Sequence, residues 1–127
     1  MLFDYPMEDK LMKFMLLIYH EEAIWDALTD SERQEIYREY RELIQELEPK
    51  GIYLVGDELQ STKTSRTVRV REGKPMITDG PFAETREQLG GFFLIEAADA
   101  DDASMVAARI PSARMGSIEV RPVAITG

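Results

Sequence analysis

An apolar run near the start of the chain most constrains its fold. The run Met12–Tyr19 is eight residues long, and Lys13 is the only charged residue in it. An apolar run of this length without polar alternation is typical of a strand that is covered on both faces. A second run of this kind, Phe92–Glu96, lies in the second half of the chain. We therefore expect a sheet built around two buried strands.

Each of these strands is followed by a helical pattern. Thr29 and Glu32 have the spacing of a capping box, which predicts a helix from there to about Glu48. Its apolar residues recur every three or four positions, at Ile36, Tyr40, Leu43, Ile44 and Leu47. A second helix is predicted over Asp99–Arg109. Further strands are predicted at Ile52–Val55 and Ser117–Arg121, each after one of the helices.

Between the two halves lies a predicted hairpin. Within Arg66–Arg71, Val68 and Val70 alternate with Arg69 and Arg71, as expected of a strand. Glu72-Gly73 can then turn the chain into Lys74–Thr78. The order is strand–helix–strand, hairpin, strand–helix–strand. It predicts an α+β domain of the ferredoxin-like, split βαβ kind, with an antiparallel sheet and a hairpin insert. We assign residues 12–127 to this single domain and residues 1–11 to a flexible N-terminal extension.

Two helices can cover only one face of such a sheet. Met15, Leu17 and Tyr19 alternate with Phe14, Leu16 and Ile18 along the first run, so both faces of that strand are apolar. An apolar sheet face that the chain itself cannot cover is typical of an interface.

The composition of the 127 residues argues against several classes of function. The net charge is −9, whereas direct nucleic-acid binding needs a basic surface. No apolar run reaches the length of a membrane span, and no secretory signal pattern opens the chain. There are no cysteines, so disulfides and thiolate metal sites are ruled out. We expect a cytoplasmic protein, because a reducing compartment suits a chain without disulfides.

The segment from Thr78 to Gly91 has an unusually dense turn chemistry. Asp79 and Gly80 favour a sharp turn, Pro81 fixes the backbone, and Phe82 places a large ring beside that corner. Rigid loops of this kind often carry binding sites, and they are also ordinary connections. Asp79 is accordingly a candidate catalytic carboxylate or a turn-forming residue.

His20 is the only histidine of the chain and lies at the end of the first predicted strand, next to Glu21 and Glu22. Histidine is the side chain best suited to proton transfer near neutral pH, but a general base also needs a pocket and an orienting partner. The sequence favours a solvated loop histidine over a catalytic one. One histidine beside adjacent carboxylates does not make a metal site, so no metal is expected.

Several arginines are candidates for anion recognition. Arg86 belongs to a polar cluster behind Phe82, and Arg109 and Arg114 flank Pro111. Guanidinium groups bind carboxylates and phosphates in a bidentate manner. In an acidic chain they are equally the natural partners of surplus carboxylates.

The residues from Asp79 to Phe92 resemble the signature of the DGPF-type, YCII-related proteins. The resemblance extends over about residues 12 to 123, through Met15–Tyr19, Val68–Pro75, Ile110–Arg114 and Ile118–Val123. It implies the same ferredoxin-like fold and adds that such domains pair through their sheets, as a homodimeric α/β barrel. It does not imply a reaction, because members of the family mostly lack an assigned activity.

The resemblance also bears on the candidate site. Relatives often carry a histidine in the first long helix and an aspartate before a proline after the second, and these positions fall on Tyr40 and Ile110 here. The acid–base pair of those relatives is therefore absent. Tyr40 remains a candidate as a hydrogen-bond donor, or as an acid with a lowered pKa, although its place on the apolar stripe favours core packing.

Two functions follow from these patterns. The first is a non-catalytic protein that binds a small anionic or apolar ligand, or a protein partner, with predicted ligand contacts at Asp79, Phe82, Arg86, Arg109 and Arg114. The resemblance adds a link to sigma-factor-dependent transcription, because DGPF-type proteins are often encoded beside extracytoplasmic-function-type sigma factors. The alternative is an enzyme without cofactor, of the lyase, isomerase or monooxygenase kind, that uses Asp79, Tyr40 and His20 in a barrel cavity.

Overall fold

The computed structural model describes residues 11–125, which form an α+β fold. The residues 1–10 of the predicted N-terminal extension, and the last two residues of the predicted domain, lie outside this range. The strands are β1 (Met12–His20), β2 (Tyr53–Glu58), β3 (Arg66–Arg71), β4 (Lys74–Asp79), β5 (Gln88–Ala97) and β6 (Ser117–Pro122), and the helices are α1 (Glu22–Ala27), α2 (Asp30–Leu47) and α3 (Ala100–Ala107).

The main sheet has four antiparallel strands in the order β2-β5-β1-β6. This is the strand order that two split βαβ units produce, so the ferredoxin-like prediction is confirmed. The two long apolar runs of the sequence are the two central strands. β3 and β4 form a separate two-stranded hairpin, which confirms the predicted insert.

The core lies between one face of this sheet and helices α2 and α3. Its buried side chains are Phe14, Leu16, Ile18, Leu43, Leu47, Phe93, Ile95, Ala97, Ala103, Ala107 and Ile110. Residues opposite each other on β1 and β5 share this face, as the pairs Phe14–Ile95 and Leu16–Phe93 show. The buried members of α2, Leu43 and Leu47, belong to the apolar stripe that the periodicity predicts.

The predicted start of α2 is confirmed in atomic detail. The Glu32 backbone N–H donates to the Thr29 hydroxyl at 3.1 Å, and the Thr29 backbone N–H donates to the Glu32 carboxylate at 2.9 Å. This reciprocal pair satisfies two backbone donors that a helix start leaves free. The 18-residue helix it begins forms the wall of the candidate site described below.

Within the described residues, the opposite face of the main sheet carries no helix. Met15, Leu17 and Tyr19 point to this side, and they lie opposite Leu94, Phe92 and Leu89 of β5. The six side chains are half-buried by their neighbours on the sheet. Within residues 11–125, no helix is long and apolar enough to cross a membrane.

Candidate functional site

A cavity of about 260 Å³ lies between the main sheet and α2, at the end of the sheet where β1 finishes. Its volume is just below the range of about 300–1,000 Å³ that is typical of pockets for drug-sized ligands. Its lining combines five aromatic rings with aliphatic and polar residues: Ile18, His20, Trp25, Tyr37, Tyr40, Ile44, Tyr53, Gly56, Asp57, Glu58, Gly90, Gly91, Phe93 and Ser112. We call this space the aromatic cavity.

The backbone aims His20 toward the aromatic cavity. Ile18 pairs with Gly91 but Tyr19 pairs with Leu89, so Gly90 is an extra residue on β5. Such a bulge locally changes the direction of a strand. A Cβ at Gly90 would overlap the imidazole ring and lie 2.8 Å from Nδ1. Glycine at position 90 is what leaves room for the imidazole.

The imidazole of His20 is half-buried, and its Nδ1 is buried without a hydrogen-bond partner among residues 11–125. The prediction that His20 is a solvated loop histidine is therefore wrong. Buried polar atoms are nearly always hydrogen-bonded in folded proteins, to protein or to water, so an atom without a protein partner is a place where a water molecule or a ligand can bind. The Nδ1 of His20 is therefore the atom of this cavity that is best placed to hydrogen-bond to a bound molecule.

A chain of aromatic contacts holds the walls together. The ring of Trp25, on α1, lies 6.1 Å from the ring of His20 and meets Tyr37 edge-on at 5.5 Å. Deeper in the cavity, Phe93 receives Tyr40 and Tyr53 edge-on at 6.0 and 5.0 Å. Edge-to-face contacts at these distances are favourable and fix the ring planes.

Tyr37 and Glu58 join α2 to the end of β2 across the cavity mouth. The Tyr37 hydroxyl lies 3.0 and 3.1 Å from the two carboxylate oxygens of Glu58, to which it donates. Burial raises the pKa of Tyr37, and the neighbouring carboxylate raises it further. The phenol therefore stays protonated at neutral pH.

Tyr40 lies one helical turn deeper, where its hydroxyl is 2.7 Å from the Ser112 hydroxyl. Burial raises the pKa of Tyr40, which is opposite to the lowered pKa that an acid role at neutral pH would need. Ser112 is 6% exposed and follows Pro111, while Ile110 is fully buried in the core. Tyr40 thus contacts both the core and the aromatic cavity. The side chain before Pro111, Ile110, is packed in the core and is not among the residues that line the cavity.

A second cavity of about 290 Å³ adjoins the first and shares His20, Trp25, Glu58 and Gly90 with it. One of its walls is a loop that Glu22 holds in place. The Glu22 carboxylate accepts hydrogen bonds from the Ser61 hydroxyl at 2.9 Å and from the Thr62 backbone N–H at 2.8 Å. Burial alone would raise the pKa of Glu22, but these hydrogen bonds outweigh it and lower the pKa, so the carboxylate is charged at neutral pH.

The Asp79–Phe82 corner lies outside both cavities. The Asp79 side chain is 96% exposed, with its carboxylate 3.8 Å from the Arg66 guanidinium, and Phe82 is 79% exposed. The corner itself is held by backbone contacts: the Gly80 N–H donates to the Ser65 carbonyl at 2.8 Å. The structure does not bring Asp79 together with His20 and Tyr40.

The segment that follows this corner supports the aromatic cavity indirectly. The Arg86 guanidinium donates to Glu21 at 2.8 Å, and the Glu22 backbone N–H donates to the Gln88 side chain at 3.0 Å. Both contacts fasten the chain directly after His20. Arg86 and Gln88 thus hold the end of β1 and the start of α1.

The remaining candidate arginines are dispersed. Arg109 donates to Glu46 and Arg114 to Glu39, each at 2.6 Å. Their partners are seven residues apart on α2, which is about 10 Å along a helix axis. The structure therefore does not bring these two guanidinium groups into one anion site. Within the described residues, no group of three histidine or acidic side chains is arranged to hold a metal ion.

Several lining residues were not among the candidates from the sequence: Trp25, Tyr37, Tyr53, Glu58 and Ser112. One signal was available, because Tyr37 stands three positions before Tyr40 and therefore on the same side of α2. The others come from α1, β2 and the turn after Pro111, and only the folded chain brings them together.

Comparisons with known proteins agree with this architecture. The YCII-related domain model matches residues 12–125. An uncharacterized protein of Rhizobium meliloti (strain 1021) is 34% identical over 116 residues, which cover 90% of this chain and 94% of that protein. Both matches span the strands and helices that build the cavities. The chain therefore belongs to the YCII-related family.

Proposed function

We propose that this protein binds a small, largely apolar molecule in the aromatic cavity, with His20 as the polar contact. The observation that carries the proposal is the buried Nδ1 of His20, which has no hydrogen-bond partner in the described part of the chain and borders a cavity lined by aromatic rings. Pockets for small molecules typically combine an apolar lining with a few well-placed polar groups. Tyr40 and Ser112 supply further polar groups at the base of this cavity.

A binding screen tests this proposal. Single-ring fragments are added to the protein, and binding is followed by ligand-observed NMR and by the fluorescence of Trp25, the only tryptophan of the chain and part of the cavity wall. We expect His20→Ala to weaken the bound fragments about tenfold, the size of a lost hydrogen bond to a buried group. Asp79→Asn, on the exposed corner, is expected to leave binding unchanged. Binding that depends on Asp79 and ignores His20 would contradict the proposal.

Catalysis without a cofactor is the second candidate, and the same Nδ1 favours it. A buried imidazole nitrogen to which none of the described residues hydrogen-bonds can exchange a proton with a bound molecule. Incubating the protein with each bound fragment and analysing the mixture by mass spectrometry separates the two functions. Conversion that His20→Ala abolishes would establish an enzyme, whereas unchanged fragments would leave a binding protein.

The homodimer is proposed on the basis of the uncovered sheet face. Leu17, Phe92 and Leu94 form an apolar patch on that face, and a second copy would bury it. We expect size-exclusion chromatography with light scattering to give twice the mass of one chain for the wild type, and Leu94→Glu to give single chains. Val70→Glu, an equally drastic change on the exposed β3–β4 hairpin, serves as the control. A dimer that survives Leu94→Glu and dissociates with Val70→Glu would place the interface on the hairpin instead.

A link to sigma-factor-dependent transcription also stays a proposal. Its support is the YCII-related family membership, together with an acidic surface that suits contacts with a protein better than contacts with DNA. Co-purification of a sigma factor with the tagged protein tests the link, and its absence would count against it.

A further inference from the structure

We infer that the aromatic cavity selects an organic cation, an amine carried on a small apolar body, over neutral and anionic molecules of the same shape. This rests on the proposed function and names the chemical class of its ligand. Three independent features of the lining support it.

The first feature is the sign of the charges around the two cavities. The acidic residues that line them are Asp57 and Glu58 in the aromatic cavity and Glu22 and Asp26 in the second. Lysine and arginine are absent from both linings, as far as the described residues show. A concave site lined by one sign of charge concentrates ligands of the opposite sign, so cations are favoured here.

The second feature is the density of aromatic rings. Trp25, Tyr37, Tyr40, Tyr53 and Phe93 all line the aromatic cavity. The face of an aromatic ring attracts a cation, and clusters of such rings are used to bind amines and quaternary ammonium groups. Burial raises the pKa of the three tyrosines, so they line the site as neutral phenols.

The third feature is the surplus of hydrogen-bond acceptors. An ammonium group brings only donors, and the Glu58 carboxylate and the unpartnered His20 Nδ1 both border the two cavities. The guanidinium groups that influence Tyr37 and Tyr40, those of Arg33 and Arg114, have other partners. Arg33 donates to the Leu28 carbonyl and the Asp30 carboxylate, each at 2.7 Å, and Arg114 donates to Glu39.

Three probes that share one ring separate charge from shape: benzylammonium, benzyl alcohol and benzoate. Each is titrated at neutral pH into the full-length protein, and Trp25 fluorescence and saturation-transfer NMR report binding. We expect benzylammonium to bind about tenfold more tightly than benzyl alcohol, and benzoate more weakly than either. Glu58→Gln is expected to weaken benzylammonium about fivefold and to change benzyl alcohol less than about twofold. Glu84→Gln removes an exposed carboxylate outside the cavities and should change neither.

The outcomes distinguish this inference from the proposed function. Equal or tighter binding of benzyl alcohol or benzoate would overturn the preference for cations and would leave the aromatic cavity as a binding site. If Glu58→Gln and Glu84→Gln weaken the binding of benzylammonium equally, the preference for cations comes from the overall charge of the protein and not from the cavity. This result would also overturn the inference. If none of the three probes binds, the cation is the wrong class, and the fragment screen with His20→Ala decides separately whether the cavity binds anything.

Discussion

Replacing Gly116 with alanine is expected to lower the free energy of unfolding by about 3 kcal/mol, at the upper end of the usual effect of overpacking. A Cβ at this position would overlap the Tyr19 carbonyl oxygen and lie 3.0 Å from the His20 Cα. These atoms belong to the backbone of β1, which cannot rotate away as a side chain can. The edge strand β6 would have to separate from β1 where Ser117 pairs with Tyr19.

Urea unfolding of Gly116→Ala and Gly80→Ala tests this expectation. Gly80 has a φ of 96° with open space around it, so alanine there meets only the strain of a positive φ, about 1 kcal/mol. Gly116 is not among the positive-φ residues, so alanine there meets only the steric overlap. We expect the larger loss at Gly116. A loss no greater than that of Gly80→Ala would show that β6 yields easily and that the end of β1 is not tightly held.

The second large effect is expected at Gly90 and depends on His20. Gly90→Ala should lower the free energy of unfolding by about 2 kcal/mol, because the new methyl group overlaps the imidazole ring and forces it out of its place. In the His20→Ala background the same change should alter the unfolding free energy by less than about 0.5 kcal/mol, since the overlapping ring is gone. The coupling of about 1.5 kcal/mol is of the size expected for residues in direct contact.

Urea unfolding of the wild type, the two single variants and the double variant gives this coupling directly. Fragment binding to Gly90→Ala adds a functional measurement, and we expect it to fall to the level of His20→Ala because both variants remove Nδ1 from the cavity. If Gly90→Ala destabilises both backgrounds equally, the methyl group meets the backbone rather than His20. The conclusion that the bulge orients the imidazole would then be wrong.

The secondary structure could be predicted well because its signals are local. The capping box at Thr29, the apolar stripe of α2 and the positive-φ turn at Glu72-Gly73 each depend on residues within a few positions of one another. The apolar runs of β1 and β5 identified the central strands because nearly every position in them is apolar, on both faces of the sheet. The order of these elements then sufficed for the fold, since split βαβ units permit few topologies.

The candidate site could be predicted only in part. His20 and Tyr40 were chosen from the sequence as candidates, and both line the aromatic cavity. The surroundings of these two side chains could not be predicted from the sequence. The sequence shows neither a pocket nor an orienting partner for His20 and therefore favours a solvated loop, whereas in the structure Trp25 and the bulge at Gly90 lie against its ring.

The family signature shows the same division. The residues from Asp79 to Gly91 identified the family and the turn at Gly80, because turn chemistry and motifs are properties of neighbouring residues. Which of their side chains approach the cavity depended on the path of the chain. Asp79 and Phe82 point outward, while Gly90 adjoins His20 and Gln88 fastens α1 beside it.

By itself, the sequence determined the strands, the helices, their order and therefore the ferredoxin-like fold, because those properties arise from short-range periodicity and turns. Only the tertiary structure decided that His20, Tyr40 and Glu58 line one cavity and that Arg109 and Arg114 pair with separate carboxylates. The physical reason is distance along the chain. The walls come from β1, α1, α2, β2, β5 and the turn after Pro111, and packing across the sheet, not sequence spacing, brings them within contact.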